Sequence, residues 1–391
     1  MSCATRVAIA IPAGKRGATR SRPDAHLAQL PGWRIVVSTT TDTGQKIARE
    51  RFGANNVFYF PLDLPFAVRA YLRALRPKLL VLAESEFWPN LLRLASLSGA
   101  VVAVVNARVS DRSLPGYLRF RKLLARVLQN VQLFLTQSEE DARRLVQIGA
   151  PAGRVQVSGN LKFEVKPPPK SEQVAKFSAA MKRNQIGPVL VAGSTLDGEE
   201  VMLLETFRQV VHRHPDALLV LAPRHPERFE PVAALLAASG LRCERRSQWA
   251  GHMLAGGTIF LLDSIGELAS LYEFADLAFI GGSLVPRGGH NVLEAAQFGA
   301  AILVGPHTEN FRDIIEVFRK ADALRVVTPQ ALSATVLELL ENHEERAALG
   351  RRAAEVLRSQ QGATERTVTA LLELLPEPAR PAVVLSSEKP A

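Results

Sequence analysis

Two glycine-rich turns within residues 276–306 carry residue types that could bind an anionic ligand. Residues 281–283 follow an apolar run typical of a buried strand, so their backbone N–H groups would lie at the end of that strand. Apolar spacing further along predicts a helix with Asn291 and Glu294 in its first turn, where N–H groups and the helix dipole favour a phosphate. A carboxylate would repel that phosphate unless it bound hydroxyls such as a ribose diol, so the pattern indicates a nucleotide. Packing alone also explains a single glycine-rich turn.

Polar residues follow other predicted strands in the same half of the chain. Arg224 comes after the run 217–222, which places a cation at the carboxyl end of a strand and favours contact with a ligand. Residues 193–195 could hold a phosphate or cap the next helix. The backbone of residues 263–268 could read a base edge, whereas Ser264 could equally be a helix cap.

Two glutamates and a lysine stand out in the first half. Glu84 continues directly from the buried run 79–83, so we expect its charge to be paired or hydrogen-bonded. Glu86 is predicted to cap the following helix, and a structural ion pair is the alternative for these two residues. Lys162 lies near a predicted domain junction, where it is either solvated or functional.

The elements that position these residues are short apolar runs alternating with helical patterns. This alternation is typical of parallel α/β domains, whose ligands bind beyond the carboxyl ends of the strands. The proline-rich segment 164–171 is predicted to be a linker between two such domains. Predicted strands lie at residues 35–39, 79–83, 101–105, 131–136 and 155–158, and then at 189–192, 217–222, 258–262, 277–280, 301–304 and 324–327.

Composition narrows the class of protein. A chain of 391 residues with 47% apolar content is long enough for two cores. Its net charge of +10 fits nucleic acid, an anionic membrane surface or an acidic small substrate, but 6% aromatic residues and no RNA-binding motif argue against nucleic acid. Two cysteines form neither a disulfide framework nor a metal motif. The apolar runs are far shorter than the roughly 20 residues of a membrane helix.

Several segments resemble the family of 3-deoxy-D-manno-oct-2-ulosonic acid (Kdo) transferases, which are inverting, CMP-Kdo-dependent glycosyltransferases. The resemblance extends over about residues 30–374 and rests on motifs such as ESEFWPNLL from Glu84, GNLKFE from Gly159 and APRHPERF from Ala222. It implies the GT-B architecture, with two Rossmann-like doubly wound domains facing a central cleft. The acceptor-binding domain would then span residues 1–163, the donor-binding domain residues 172–375, and residues 376–391 would form a disordered tail.

The resemblance also assigns roles to individual residues. Glu84 and Lys162 match the transition-state stabilisers of the family. Val292 stands where the family usually has proline, at a backbone contact that either residue could serve. No cofactor and no metal ion are implied. The CMP contacts of the family fall on Pro223, Arg224, Ile265, Gly266, Glu267, Asn291, Val292, Leu293 and Glu294.

The implied reaction transfers Kdo from CMP-Kdo to a lipid A precursor, lipid IVA, in lipopolysaccharide assembly. It would take place at the cytoplasmic face of the inner membrane, with the protein bound peripherally to the anionic surface. Alternatives are a CMP-sugar-binding protein that lacks a general base and, less well supported, an enzyme acting on a UDP-sugar.

The beginning of the chain departs from the family pattern. Family members normally start with a hydrophobic anchor and a Ser-Val-Gly-Glu motif whose glutamate is the general base, whereas residues 1–30 contain no glutamate. We expect either that the start of the gene has been misread or that the anchor and the motif have truly been lost. On this basis residues 1–30 should not complete the first strand, which would leave an unpaired edge or gap beside residues 35–39 and low order in residues 15–23.

Overall fold

The computed structural model describes residues 5–12, 33–165, 168 and 171–375. The chain divides into two compact units, one formed by residues up to Glu164 together with those from Gln361 onward, and the other by Val165–Gln360. Most of the predicted linker and the whole predicted tail at 376–391 lie outside the described residues.

The described part of the first unit contains a seven-stranded sheet in the order β3-β2-β1-β4-β5-β6-β7. Its buried leucines and valines, such as Leu80, Leu82 and Val104, pack against the surrounding helices. The strands are β1 (Thr5–Pro12), β2 (Trp33–Thr39), β3 (Val57–Tyr59), β4 (Leu79–Ala83), β5 (Val101–Ala107), β6 (Leu133–Thr136) and β7 (Val155–Val157), and the helices are α1 (Asp42–Phe52), α2 (Pro65–Leu75), α3 (Pro89–Leu97), α4 (Leu114–Arg119), α5 (Arg121–Leu128) and α6 (Glu139–Gln147).

Strand β1 fills the position between β2 and β4, but it runs antiparallel to both. Ala10 lies opposite Ile35 on one side and opposite Leu79 on the other. The predicted gap beside residues 35–39 is therefore wrong, because the backbone groups of two neighbouring strand edges are satisfied by an apolar segment that pairs with both. The predicted low order of residues 15–23 lies outside the described residues.

The second unit contains a parallel sheet in the order β10-β11-β9-β8-β12-β13-β14. The strand order reverses at β8, between β9 and β12, and such a switch point leaves a crevice at the carboxyl ends of the strands. The strands are β8 (Val189–Thr195), β9 (Leu218–Pro223), β10 (Arg242–Arg245), β11 (Thr258–Leu261), β12 (Leu277–Ile280), β13 (Ala301–Val304) and β14 (Arg325–Val326), and the helices are α7 (Glu172–Arg183), α8 (Glu199–Arg213), α9 (Phe229–Ser239), α10 (Leu268–Leu271), α11 (Leu293–Ala296), α12 (Arg312–Lys320), α13 (Leu332–Glu341) and α14 (His343–Gln360).

The last helix, α15 (Ala363–Glu373), belongs to the first unit, not to the second. Leu375 and the partly buried Leu371 join an apolar cluster with Val105 and Leu135 of the first sheet. The predicted boundary of the second domain at residue 375 therefore differs from the structure, because the apolar face of this helix is buried on the other sheet. Both units are doubly wound α/β structures, as the strand and helix pattern predicts.

Candidate functional site

The carboxylate of Glu199 occupies the predicted anion-binding turn after β12. Glu199 begins α8 and its side chain is fully buried. Its oxygens accept hydrogen bonds from the backbone N–H groups of Gly282 (2.7 Å), Ser283 (3.0 Å), Leu284 (2.9 Å) and Leu196 (2.9 Å). An anion does bind this turn, but it is a side chain of the protein, so the expectation of a ligand anion at these N–H groups is wrong.

Two glycines allow neighbouring strands to approach this turn closely. A Cβ atom on Gly281 would lie 2.3 Å from the carbonyl oxygen of Ser194, and one on Gly305 would lie 2.1 Å from that of Ser283. The Ser283 hydroxyl accepts a hydrogen bond from the Gly305 N–H at 2.8 Å and donates one to the Ile280 carbonyl. These contacts hold the carboxyl ends of β8, β12 and β13 together.

Helix α11 is shorter than the sequence predicts. It contains four residues and begins at Leu293, so Asn291 precedes it and uses its side-chain oxygen to accept a hydrogen bond from the Leu293 N–H at 3.1 Å. Glu294 lies in the first turn as expected. One turn of helix aligns few peptide dipoles, so its amino terminus adds little positive potential for a phosphate.

Glu294 interacts with both Asn291 and Arg224 at the switch point of the second sheet. Burial raises the pKa of Glu294, while a hydrogen bond with Asn291 and the positive charge of Arg224 oppose that rise. Arg224 is exposed, and its backbone N–H donates to the carbonyl of Thr195 at 3.0 Å, which joins the ends of β9 and β8. Pro223, before it, is buried at the end of β9. An exposed cation and a half-buried carboxylate are thereby placed where a phosphate and hydroxyl groups could both be bound.

Tyr272 packs between this group and β8. Its side chain is buried, and burial together with the negative charge of Glu294 raises the pKa of its hydroxyl. A Cβ atom on Gly193 would lie 1.9 Å from the Tyr272 hydroxyl oxygen and 3.1 Å from Leu268. Glycine at position 193 therefore allows the segment that begins with α10 to lie on β8.

The loop before α10 carries the predicted base-reading residues. Ile265 is 68% exposed, and Gly266 has a φ of +90° with open space where a Cβ would lie. Glu267 accepts two hydrogen bonds from Arg246 (2.6 and 2.7 Å) and one from the Ser264 hydroxyl (2.8 Å). The alternative of Ser264 as a helix cap is wrong, because its hydroxyl is used to fix Glu267.

Sequence reasoning missed His290, which packs against Gly282. A Cβ atom on Gly282 would lie 2.9 Å from His290 Nε2, and this nitrogen is buried without a hydrogen-bond partner among the described residues. Burial, with the positive charges of Arg224 and His225, lowers the pKa of His290 to about 4. The imidazole is therefore neutral at pH 7. Its position directly after a pair of glycines was the signal that could have identified it.

The turn after β8 does not cap α8 with a side chain. The residue before α8 is Gly198, which provides no side-chain cap. Thr195 instead donates to Glu200 at 3.2 Å, and Glu200 pairs with Arg228 at 3.3 Å. Arg228 also pairs with Asp197 at 2.7 Å. The alternative that residues 193–195 cap α8 is therefore wrong, since the Thr195 hydroxyl joins an ion-pair network in which Glu200 is buried and Asp197 is exposed.

In the first unit, Glu84 is exposed directly after β4. Its backbone has a φ of +63°, which residues other than glycine rarely adopt. Its N–H donates to the carbonyl of Val105 at 2.8 Å. Over the described residues the expectation that its charge is paired or hydrogen-bonded is wrong, because the chain turns outward at the strand end and Glu84 is exposed.

Lys162 is also exposed, in a short 3-10 turn at Leu161–Phe163. Its N–H donates to the Asn160 side chain at 2.9 Å, and the Leu161 N–H donates to the Asn106 side chain at 3.1 Å. Asn106 directly follows Val105 in β5. Glu84 is thus attached to Val105 by a backbone hydrogen bond, and the turn that carries Lys162 is attached through Leu161 to the side chain of the next residue, Asn106.

Glu86 does not cap α3. The Asp63 carboxylate accepts hydrogen bonds from the first N–H groups of that helix, at Asn90 (3.0 Å) and Leu91 (2.8 Å). Glu86 instead acts on Tyr117, whose hydroxyl pKa is raised by burial and by the charge of Glu86. A cap supplied from a distant loop has no local sequence signal, which explains the error.

Two further kinds of feature are absent from the residues that the structure describes. Over these ranges, no group of three or more His, Cys, Asp or Glu side chains could hold a metal ion. No helix within them has the length and apolar character needed to cross a membrane.

Comparison with known proteins identifies the family. The family described as 3-deoxy-D-manno-octulosonic-acid transferase (kdotransferase) matches residues 19–165. The 3-deoxy-D-manno-octulosonic acid transferase of Haemophilus influenzae is 35% identical over 351 residues, which is 88% of this chain and 80% of the relative. That of Bordetella pertussis is 35% identical over 354 residues, 88% of this chain and 82% of the relative. The crystal structure of the C-terminal CMP-Kdo binding domain of WaaA from Acinetobacter baumannii is 29% identical, with a TM-score of 0.44, and covers 47% of this chain and 97% of that chain.

This chain, which has two doubly wound units with polar groups at their strand ends, is therefore a glycosyltransferase. The chain belongs to the 3-deoxy-D-manno-octulosonic acid transferase family, and its activity is the transfer of Kdo.

Proposed function

We propose that this enzyme transfers Kdo from CMP-Kdo to a lipid A precursor, lipid IVA, with inversion at the anomeric carbon, as a step in lipopolysaccharide core biosynthesis. Family membership supports the transfer of Kdo. The observation that carries the choice of a nucleotide donor is the grouping of Arg224, Asn291 and Glu294 at the switch point of the second sheet.

In the donor site, Arg224 binds the single phosphate and Glu294 binds the ribose hydroxyls. The N–H groups of residues 282–284 are already used by Glu199, so the compensating positive charge must come from side chains. Arg224 is exposed and suits this role. The remaining donor contacts are proposed to be Pro223, Ile265, Gly266, Glu267, Asn291, Val292 and Leu293, with Gly266 and its neighbours presenting backbone to the base.

In the reaction, the acceptor hydroxyl forms a bond to the anomeric carbon as the bond to the phosphate oxygen breaks. The hydroxyl proton passes to a base, and CMP leaves with the bonding electrons. Glu84 stabilises the positive charge that develops on the sugar, and Lys162 stabilises the negative charge on the departing phosphate. Because two side-chain cations can offset one phosphodiester charge, the scheme requires no cofactor.

The acceptor is an amphiphile, so the reaction is proposed to take place at an anionic membrane surface, the cytoplasmic face of the inner membrane. The net charge of +10 supports attraction to that surface.

Calorimetry with CMP and UDP, followed by a turnover assay with CMP-Kdo and lipid IVA, tests the proposal. We expect CMP to bind more tightly than UDP, and CMP to be released in proportion to Kdo-lipid, with inverted configuration in the product by NMR. Equal binding of the two nucleotides would contradict the assignment of the donor. Release of CMP without formation of Kdo-lipid would contradict the assignment of the acceptor.

A further inference from the structure

The first unit exposes large apolar side chains after its strands. Leu62 (76% exposed) and Phe66 (72%) follow β3, while Phe120 and Leu123 (both 63%) follow β5. The carboxyl ends of these two parallel-oriented strands lie at the same edge of the sheet, which is also the edge that carries Glu84.

Residues 118–123, with the sequence Leu-Arg-Phe-Arg-Lys-Leu, combine exposed apolar side chains with cations, and all six are exposed. We call this segment the docking hexad. The sequence contains no Asp or Glu between Arg112 and Gln137. Within residues 33–165, no ion pair is formed by Arg119, Lys122 or Arg126. The positive charge of this surface is therefore not neutralised by neighbouring acids of that range.

The backbone holds the apolar side chains of the hexad outward. Phe120 joins α4 to α5, and the Leu123 N–H donates to its carbonyl at 3.0 Å, so the two side chains are neighbours on one face. Leu128 of the same helix is fully buried, and Leu124 packs against the core of the unit. The segment is thus anchored from within while Phe120 and Leu123 stay exposed.

A ring contact connects this surface to the loop that follows Glu84. Phe87 and Tyr117 lie with ring centroids 6.1 Å apart in an edge-to-face arrangement. Whatever binds the hexad is therefore held beside the edge where the proposed catalytic carboxylate lies.

We propose that the docking hexad binds the surface of an anionic lipid bilayer. Phe120 and Leu123 enter the boundary between headgroups and acyl chains, and Arg119 and Lys122 bind lipid phosphates while their aliphatic stems lie along the apolar region. A protein partner fits this composition poorly, because the cores of protein interfaces are depleted of lysine. The inference deepens the proposed function, since it places the transferase at the membrane that holds its lipid acceptor.

Sedimentation of the full chain with vesicles tests this inference without any transferase reaction. Vesicles of phosphatidylglycerol and phosphatidylethanolamine should bind the protein, neutral phosphatidylcholine vesicles should bind it at least about tenfold more weakly, and binding should fall with added salt. The double variant Phe120→Ser/Leu123→Ser should lower the partition coefficient by at least about tenfold. Lys122→Gln should lower it by about fivefold.

Met253→Ser is the matched control, because Met253 is also 63% exposed but lies in the second unit. It should bind vesicles like the wild type. All variants should keep the wild-type thermal unfolding midpoint, since the changed side chains are exposed. Three results would each overturn the docking surface. The double variant could bind vesicles as tightly as the wild type, Met253→Ser could lose as much vesicle binding as the double variant, or the wild type could bind neutral and anionic vesicles equally.

A transfer assay with a deacylated, water-soluble acceptor separates this inference from the proposed function. The double variant should transfer Kdo to that acceptor at the wild-type rate. A wild-type protein that binds anionic vesicles through the hexad but transfers no Kdo would support the docking surface and contradict the proposed reaction.

Discussion

The carboxylate of Glu199 and the backbone N–H of Gly282 lie 2.7 Å apart although they are separated by 83 residues in the sequence. This bond, with three others to the same carboxylate, fixes the turn after β12. We expect Glu199→Gln to lower the free energy of unfolding by about 2–4 kcal/mol, because an amide NH₂ would then face backbone donors in a buried place. Urea unfolding measures this effect.

Glu355→Gln is the control for that experiment, since Glu355 is 70% exposed and pairs with Arg358 on the surface of α14. It should change the free energy of unfolding by less than about 0.5 kcal/mol. Equal effects of the two substitutions would show that the buried carboxylate does not hold the turn.

Arg224→Ala should weaken CMP binding by about tenfold to a hundredfold, because a charge-assisted hydrogen bond to phosphate contributes about 1.5–3 kcal/mol. Calorimetry gives the dissociation constant directly. Arg351→Ala, at an exposed position of α14, serves as the control and should bind CMP like the wild type. An unchanged dissociation constant for Arg224→Ala would remove this residue from the donor site.

Glu294→Gln should weaken CMP binding more than it weakens binding of a CMP analogue without ribose hydroxyls. The reason is that the carboxylate is proposed to accept hydrogen bonds from the diol, which the analogue lacks. Competition binding with both ligands measures the difference. Equal losses would indicate that Glu294 is structural, acting only on Asn291 and Arg224.

Glu84→Ala and Lys162→Ala should each lower kcat by about a hundredfold or more while changing CMP affinity by less than about threefold. Both side chains are exposed at the edge of the first sheet and are proposed to act on charge present only in the transition state. Single-turnover kinetics separates the chemical step from binding. Glu50→Ala and Lys46→Ala, two exposed residues of α1, are the controls. A loss of CMP affinity with unchanged turnover of bound donor would contradict the assignment.

The stability of the protein should fall as the pH decreases from about 6.5 to about 4, because the pKa of His290 is lowered to about 4 by burial and by nearby positive charge. In that window the unfolded chain binds a proton at this residue and the folded protein does not, so acid favours unfolding. The stability difference between wild type and His290→Gln should shift by up to about 3 kcal/mol across the window. Urea unfolding at several pH values measures it, and a difference that stays constant with pH would refute the idea.

Most of the fold could be predicted because most of its strands are short apolar runs that alternate with helical patterns. Residues 79–83, 277–280 and 301–304 were predicted with the observed bounds of β4, β12 and β13. Strand β10 was missed because Arg242, Glu244 and Arg245 give it no apolar signal. Strand β1 was missed although residues 7–11 form an apolar run, because the departure of residues 1–30 from the family pattern led to the expectation that this segment would not complete the sheet.

The site was less predictable than the fold, since its decisive contacts join distant residues. The roles of Glu84, Lys162, Arg224 and Glu294 came from family resemblance and stay predictions. The positions of Glu84 and Arg224 at strand ends follow from the α/β pattern. The bond from Glu199 to the turn after β12 could not be predicted, because a glutamate at the start of a helix is ordinarily a solvated favourable charge.

The left-handed backbone at Glu84 disfavours a glutamate at this position, whereas the proposed catalytic role of the residue requires its carboxylate. Asn106, at the end of the next strand, also has a positive φ, but asparagine adopts this conformation readily, whereas a glutamate does so at a cost. Glycine would relieve that strain and stabilise the unit by up to about 1 kcal/mol, and would at the same time remove the carboxylate. On the proposed role of Glu84, an engineering programme that optimises this protein for heat resistance alone would select Glu84→Gly early and obtain a more robust enzyme whose kcat is lower by about a hundredfold or more.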